Sequence, residues 1–491
     1  MSHPLFNRLL CGLTAAVLAC SVAAQPVGLP SMGSASSAQL SPQLERTLGE
    51  AIMEQGRRDP TYINDPDVSQ YLQSLGAQLA AATPGSVSNP EVFAIRDPQI
   101  NAFALPGGYV GLHSGLVTTA ENESQLASVL AHELGHIMQR HVARGMTQQD
   151  RSNHIMIASI AGALLAALAG SGDLAMGAAA FGQAAAIDRQ LGFSRQAEQE
   201  ADRIGLQTMA RAGFDPRGMV QMFGHLSNVA RLNQGTGGGA YTSTHPLSIQ
   251  RMSDIENRVQ AMPPVSHQDS DSFWYVRAKL RLLQANSNQL MQAAKSALRL
   301  EASKQKGVRQ SAAWYGLAYA ALRQKNYAEA ADLLKKAQAG GRDSPEITGL
   351  AIQIALKQEK NQEAVRLAEQ GVQRWPDSLG VALGLAEALQ QAGQTEAAVK
   401  ALQKSIKKWP DEAVLYQHLG QNYERLDKPV EARRAMADYY EKIGALPTAV
   451  EHLQQARALS NDFYTQSQLD VQIRTLKEKQ RSSRDLLERF R

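Results

Sequence analysis

The chain of 491 residues is 44% apolar and 20% charged, with a formal net charge of +4. That balance excludes a disordered chain and a polytopic membrane protein, and the length allows two or three domains with cores of their own. No basic stripe or block is present, so no nucleic-acid partner is expected.

The N-terminus opens with Arg8, an apolar run from Leu9 to Val22, and the small residues Ala23 and Ala24. This reads as a secretory signal over residues 1–24. The run falls short of the ~20 residues a membrane span requires, which argues against an anchor. Val17-Leu18-Ala19-Cys20 is a loose lipoprotein signal, poorly fitted by its leucine. Cys11 and Cys20 are the chain's two cysteines, so cleavage leaves a thiol-free protein whose metal ligands must be nitrogen and oxygen. Losing Arg8 lowers the formal charge from +4 to +3.

Gln25 to Gln39, rich in Gly, Ser and Pro, reads as an arm. Helical patterns cover Pro42–Gln55 and Pro66–Ala82, and Glu91–Asp97 reads as a strand. Ile100–Leu105 and Tyr109–Leu112 flank Pro106-Gly107-Gly108, which predicts a β-hairpin. One long helix is predicted from Glu121 to Arg144. Ile155–Ile187 is dominated by Ala, Leu, Ile and Gly, but Ser171-Gly172-Asp173 interrupts it before it is long enough to span a bilayer. It reads as a buried helical hairpin, with a lid or a peripheral membrane-contacting surface as the alternative. A further helix runs from Ser194 to Ala212 and stops at Gly213.

After Met262-Pro263-Pro264 the composition shifts to Ala, Leu, Gln and Lys. Ala330, Ala364, Ala398 and Ala432 fall 34 residues apart, as do Trp375-Pro376 and Trp409-Pro410. A fixed small residue at this period marks a helix–turn–helix solenoid. Trp314, Leu317, Ala330, Leu334 and Ala337 in one unit, and Leu419, Gly420, Tyr423 and Ala432 in another, resemble the tetratricopeptide repeat. Such a stack binds protein segments and carries no chemistry. The expected division is residues 25–265 for one domain and 271–491 for the repeats.

The chemistry lies in His132-Glu133-Leu134-Gly135-His136. On a helix, His132 and His136 are one turn apart on one face and can reach one ion. Glu133, ~100° around the helix, can touch a water at that ion. This is the division of labour of a hydrolytic zinc site, in which the ion lowers the water's pKa and the carboxylate takes its proton. Gly135 costs about 1 kcal/mol inside a helix, so close packing against its backbone is expected. A third ligand is sought in Glu198-Gln199-Glu200-Ala201-Asp202. Glu198 and Asp202 share a face, which places Asp202 to orient a histidine ligand. Spacing alone does not choose between Glu198 and Glu200.

These segments, with Asn101–Gly108 before them and Thr244-His245-Pro246-Leu247 after, resemble the HtpX and CAAX-prenyl-endopeptidase superfamily. The resemblance implies an α+β fold: a mostly helical zincin-type metallopeptidase domain with a small β-sheet, then an all-α tetratricopeptide-repeat solenoid. It implies one Zn²⁺ per chain held by His132, His136 and Glu198, with Glu133 and Asp202 catalytic. It also implies that Asn101, Ala102, Phe103 and Ala104 lead into an edge strand to which extended substrate adds. His245 would approach the zinc, either as an inhibitory fourth ligand on a loop flanked by Gly235, Gly237, Gly238 and Gly239, or as an oxyanion donor. His141, His154, His225 and His267 receive no role. The chain sits with the exported members, which implies a periplasmic endopeptidase acting on unfolded or stalled outer-membrane β-barrel precursors. The repeats would engage substrate or the barrel-assembly machinery. The rivals are a chaperone or scaffold with a latent site, and a general quality-control protease.

Overall fold

The computed structural model describes residues 41–84, 90–147, 193–232, 240–340 and 342–488. The expectations for residues 1–24, Gln25–Gln39, Ile155–Ile187 and the glycines at 235–239 lie outside these. Among the described residues, no helix is long and apolar enough to cross a membrane.

Two helices lead, α1 (Pro42–Gly56) and α2 (Pro66–Ala82), each with proline in its first turn. There the missing N–H costs nothing. Ser41 and Asp65 cap them by accepting orphan backbone N–H groups. The sheet follows: β1 (Glu91–Ile95), β2 (Ala102–Leu105) and β3 (Tyr109–His113), in the order β1-β3-β2. β2 and β3 form the expected antiparallel hairpin, closed at Leu105↔Tyr109. Gly107 and Gly108 turn it at φ 83° and 93°, conformations that suit glycine. The sequence did not disclose that β3 is central, with β1 parallel to it from Glu91↔Tyr109 to Ile95↔His113.

After α3 (Ser114–Thr119) comes α4 (Glu123–Met138), which carries the histidine pair and is buried at every position from Glu123 to His136. It packs against α2, β2, α6 (Arg195–Arg211) and α7 (Arg217–Leu232). The single helix expected over Glu121–Arg144 is two: the chain breaks at Arg140, φ 50°, and restarts as α5 (His141–Thr147). Leaving the right-handed region costs an arginine energy, and the return turn lays His141 back on α4. α6 is capped by Ser194 and ends before Gly213 at φ 83°. α8 (Ala240–Thr244) and α9 (Ile249–Ala261) close this part.

The repeats are helical throughout, from α10 (Asp271–Leu283), α11 (Asn288–Lys304) and α12 (Gly307–Arg323) onward. The pairs that follow are completed by α13 (Tyr327–Gly340), α15 (Asn361–Arg374), α17 (Thr395–Lys408) and α19 (Pro429–Lys442), which start 34 residues apart. Their partners are α14 (Pro345–Lys357), α16 (Leu379–Gln391) and α18 (Ala413–Arg425); α20 (Leu446–Leu459) and α21 (Phe463–Glu488) end the stack. Ala330, Ala364, Ala398 and Ala432 are all buried, as close helix crossing demands. The period also recurs in the backbone: Lys325, Glu359, Gly393 and Asp427, each just past a helix end, have φ of 62°, 61°, 78° and 53°. One of these four C-terminal turn positions is glycine, so packing rather than glycine's freedom sets this turn. One hydrophobic core crosses from the first part into the repeats, joining Leu72 and Leu130 to Phe273 and Tyr315. Lys279, buried on α10, bonds Asp65 and Asp67 at the start of α2 at 2.8 Å each.

α4 and α6 cross backbone to backbone. A methyl group on Gly135 would stand 2.9 Å from the Cα and carbonyl oxygen of Ala201, and one on Gly205 3.2 Å from the His132 nitrogen. The close packing expected at Gly135 is therefore α6 itself. Gly135→Ala should destabilise the protein by ~1–3 kcal/mol through overpacking, even though alanine favours helix. A lowered thermal midpoint would show it; an unchanged or raised midpoint would mean that α6 yields.

Candidate metal centre

Four side chains from three separate segments meet where α4 and α6 cross. His132 and His136 come from α4, Glu198 from α6, and His245 from the residue after α8; their ligand atoms lie within 4.8 Å of one another. All four are nearly inaccessible to water. His132 Nε2 is 3.0 Å from His136 Nε2 and 3.4 Å from His245 Nδ1. Glu198 Oε1 is 2.9 Å from His245 Nδ1 and 3.5 Å from His136 Nε2, and Glu198 Oε2 is 3.5 Å from His132 Nε2. A tetrahedral ion with bonds of ~2.0–2.1 Å has ligand atoms about 3.3–3.4 Å apart, since the edge is ~1.63 times the bond. The observed spacings bracket that edge, so the donor set fits a small four-coordinate ion. The Nε2–Nε2 approach fits too, because two imidazole lone pairs at that distance need a cation or a proton between them.

The ligand atoms are held from behind. His132 Nδ1 is 2.9 Å from Asp202 Oδ1, which fixes the ring with Nε2 toward the centre. Asp202 accepts from Arg251 Nε and Nη2, both at 2.8 Å, while Arg251 Nη1 reaches Glu198 Oε2 at 2.6 Å and the Pro246 carbonyl at 2.8 Å. Arg251 thus ties both carboxylates of α6 to the His245 segment. Burial holds His136 well below its usual pKa, leaving it neutral. Burial also raises Glu133. Among the described residues neither Glu133 oxygen has a hydrogen-bond partner, and His245 Nε2 lies 3.6 Å from its Oε1.

The site residues expected from the sequence thus fall in one place. Glu198, not Glu200, lies among the histidines; Glu200 instead meets His141 at 3.1 Å. Asn101 to Ala104 run into β2, an edge strand of the sheet that packs on α4, and all four residues are buried. His141, assigned no role from the sequence, has Nδ1 3.0 Å from His136 Nδ1, and burial lowers its pKa to about 4. Sequence reasoning also missed Arg251, although a signal existed. It shares a stripe with Ile255 and Val259 on α9, and an arginine in an apolar stripe needs a buried partner. Phe193 and Tyr241 were missed as well. Their rings lie 4.0 Å from His136 and 4.7 Å from His245, contacts that no local pattern encodes.

Both parts of the chain match known families. Residues 66–259 match Peptidase family M48, and residues 279–345 and 355–422 match tetratricopeptide repeats. The chain is 33% identical over 490 residues to the beta-barrel assembly-enhancing protease of Escherichia coli (strain K12), covering 99% of this chain and 97% of that one. It is 35% identical over 377 residues to the Yersinia pestis protein of the same name, 74% of each chain. The mitochondrial metalloendopeptidase OMA1 of Schizosaccharomyces pombe is 37% identical over 186 residues, 38% of this chain and 51% of that one.

Proposed function

This chain belongs to the beta-barrel assembly-enhancing protease family, in which an M48 metallopeptidase domain is joined to tetratricopeptide repeats, and we propose that it is a periplasmic zinc endopeptidase acting on outer-membrane β-barrel precursors. The observation that carries this reading is the tetrahedral spacing of the buried N₃O donor set. A thiol-free site of imidazoles and one carboxylate suits zinc. His132, His136 and Glu198 are assigned as ligands, with Asp202 orienting His132. The substrate class comes from the names of the full-length relatives, and the repeats are assigned to docking those precursors or the assembly machinery.

When bound, zinc supplies Lewis acidity that polarises the scissile carbonyl and lowers the pKa of water. Glu133 accepts the proton of the attacking water and passes it to the departing amine nitrogen. Burial raises the pKa of Glu133, and its oxygens have no hydrogen-bond partner among the described residues, which suits a group that accepts a proton. β2, an edge strand of the sheet, is assigned as the strand to which an extended segment of substrate adds.

His245 is assigned as a fourth ligand that closes the site at rest. Its backbone N–H bonds the Tyr241 carbonyl at 2.8 Å, and its ring stacks on Tyr241 and Phe193. Hydrolysis needs an open position, so His245 must leave before water attacks. This closure favours a latent enzyme with a chaperone role at rest over an unrestrained quality-control protease.

The purified protein should hold one zinc per chain, and Glu198→Ala should lose most of it; full occupancy in that variant by metal analysis would refute the ligand set. Glu133→Gln should cut peptide hydrolysis by ~10²–10⁴-fold with zinc content unchanged, and the same variant should trap barrel precursors in cells. If it traps no barrel precursor, the substrate class is wrong. His245→Ala should raise proteolysis at matched zinc content. A fall in turnover would instead make His245 an oxyanion donor.

A further inference from the structure

His136 and His132 are supported differently. Asp202 meets His132 directly, whereas among the described residues no carboxylate reaches His136 Nδ1. That nitrogen meets His141 Nδ1 at 3.0 Å, His141 Nε2 meets Glu200 Oε2 at 3.1 Å, and Arg144 Nη1 meets the same oxygen at 3.1 Å. His141 is buried, and Glu200 lies at the edge of solvent. On α6, Glu200 is about 200° around the helix from Glu198 and from Asp202. It faces away from both, and the imidazole of His141 spans the gap.

We propose that His141 and Glu200 are positioning residues for the metal, a relay that holds His136 with Nδ1 protonated and the Nε2 lone pair directed at the ion. The inference rests on the assignment of His136 as a ligand. Given that assignment, counting protons fixes the rest. A ligand that gives its Nε2 lone pair carries its proton on Nδ1. Two nitrogens 3.0 Å apart share one proton, so His141 Nδ1 accepts it. His141 must then carry its own proton on Nε2, where a carboxylate, which can only accept, is waiting. Each hydrogen bond in the chain permits only the tautomer that leaves His136 able to bind.

The backbone is shaped for this contact. Without the turn at Arg140, φ 50°, α4 would continue straight and His141 would lie more than a turn beyond His136 and off its face. The left-handed arginine returns the chain so that His141 meets His136 edge to face, with ring centroids 4.9 Å apart. Phe193 packs on the His136 ring and leaves Nδ1 with His141 as its partner among the described residues.

Chelator competition on the zinc-loaded full-length protein tests this, with the visible spectrum of the cobalt-substituted protein as a second readout. His141→Phe removes the acceptor and should weaken zinc binding ~10–100-fold. Glu200→Leu, at a partly exposed position, should weaken it about 10-fold. His141→Asn sets an amide oxygen near the place of Nδ1 and should stay within a few-fold of the parent, with the parent's cobalt bands retained. Those bands should shift in the phenylalanine and leucine variants. Should His141→Phe fail to fold, Glu200→Leu and His141→Asn still decide the matter. If Glu200→Leu and a folded His141→Phe hold zinc as the parent does, or if His141→Asn loses zinc as fully as Glu200→Leu, the relay is wrong. A parent protein that holds no zinc would sink the ligand assignment itself.

Discussion

Glu198 carries a carboxylate where almost no water reaches, and much of the surrounding structure exists to make that tolerable. A buried charge must be paired and hydrogen-bonded or it neutralises. Burial alone would raise Glu198, yet His245 and His132 outweigh it and hold the acid well below its usual range. Arg251 contributes one guanidinium and divides it between Glu198 and Asp202. Two carboxylates against one guanidinium leave a negative centre ringed by three imidazoles, whose sign and donor types suit a divalent cation.

That chemistry depends on two helices coming closer than side chains normally allow. Gly135 and Gly205 remove the methyl groups that would hold α4 and α6 apart. The same crossing that brings the backbones together aligns the paired positions of each helix, His132 with His136 and Glu198 with Asp202. A helix buried on every side has no solvated face for polar residues. The charged and imidazole groups of α4 therefore find partners on other elements, as Glu123, His132 and His136 do, while the Ser128 hydroxyl turns back to the Gln125 carbonyl of its own helix and Glu133 has no hydrogen-bond partner among the described residues. Burial raises its pKa, and among the described residues no donor bonds its oxygens, so the carboxylate is left ready for the proton it is meant to take.

What could be read from the sequence was whatever repeats locally. The i, i+4 spacing of His132/His136 and Glu198/Asp202, the Pro-Gly-Gly turn, and the 34-residue period each lie within one element or one unit. Gly135 was legible as a penalty that needed a reason, though not as a contact with Ala201. The central place of β3 was hidden because a parallel partner is chosen by tertiary packing, not by a turn. The break at Arg140 was hidden because helix propensity runs unbroken through Gln139-Arg140-His141, and a left-handed arginine answers to no local rule. Arg251 and the Glu200–His141 pair share that cause. Each is a polar residue whose partner is distant in sequence, by 49 residues for Arg251 and Asp202 and by 59 for His141 and Glu200.

The start of α4 shows how the repeats bear on the site. Glu123, in its first turn, accepts from Tyr71 Oη at 2.9 Å, from the Ser270 N–H at 2.8 Å and hydroxyl at 2.6 Å, and from His267 Nε2 at 3.1 Å. Burial would raise Glu123, but His267 and Ser270 outweigh it and keep it ionised, where it also complements the helix dipole. Ser270 is at once the N-cap of α10, so one hydroxyl begins the repeats and grips the helix that bears the histidines. Lys279, a few residues on, binds Asp65 and Asp67 at the head of α2. The first repeat helix is therefore fastened to two elements of the peptidase core by charge as well as by apolar packing. The repeats and the peptidase core therefore meet at the head of α4, the helix that bears the histidine pair, through ion pairs, a shared cap and one continuous apolar core.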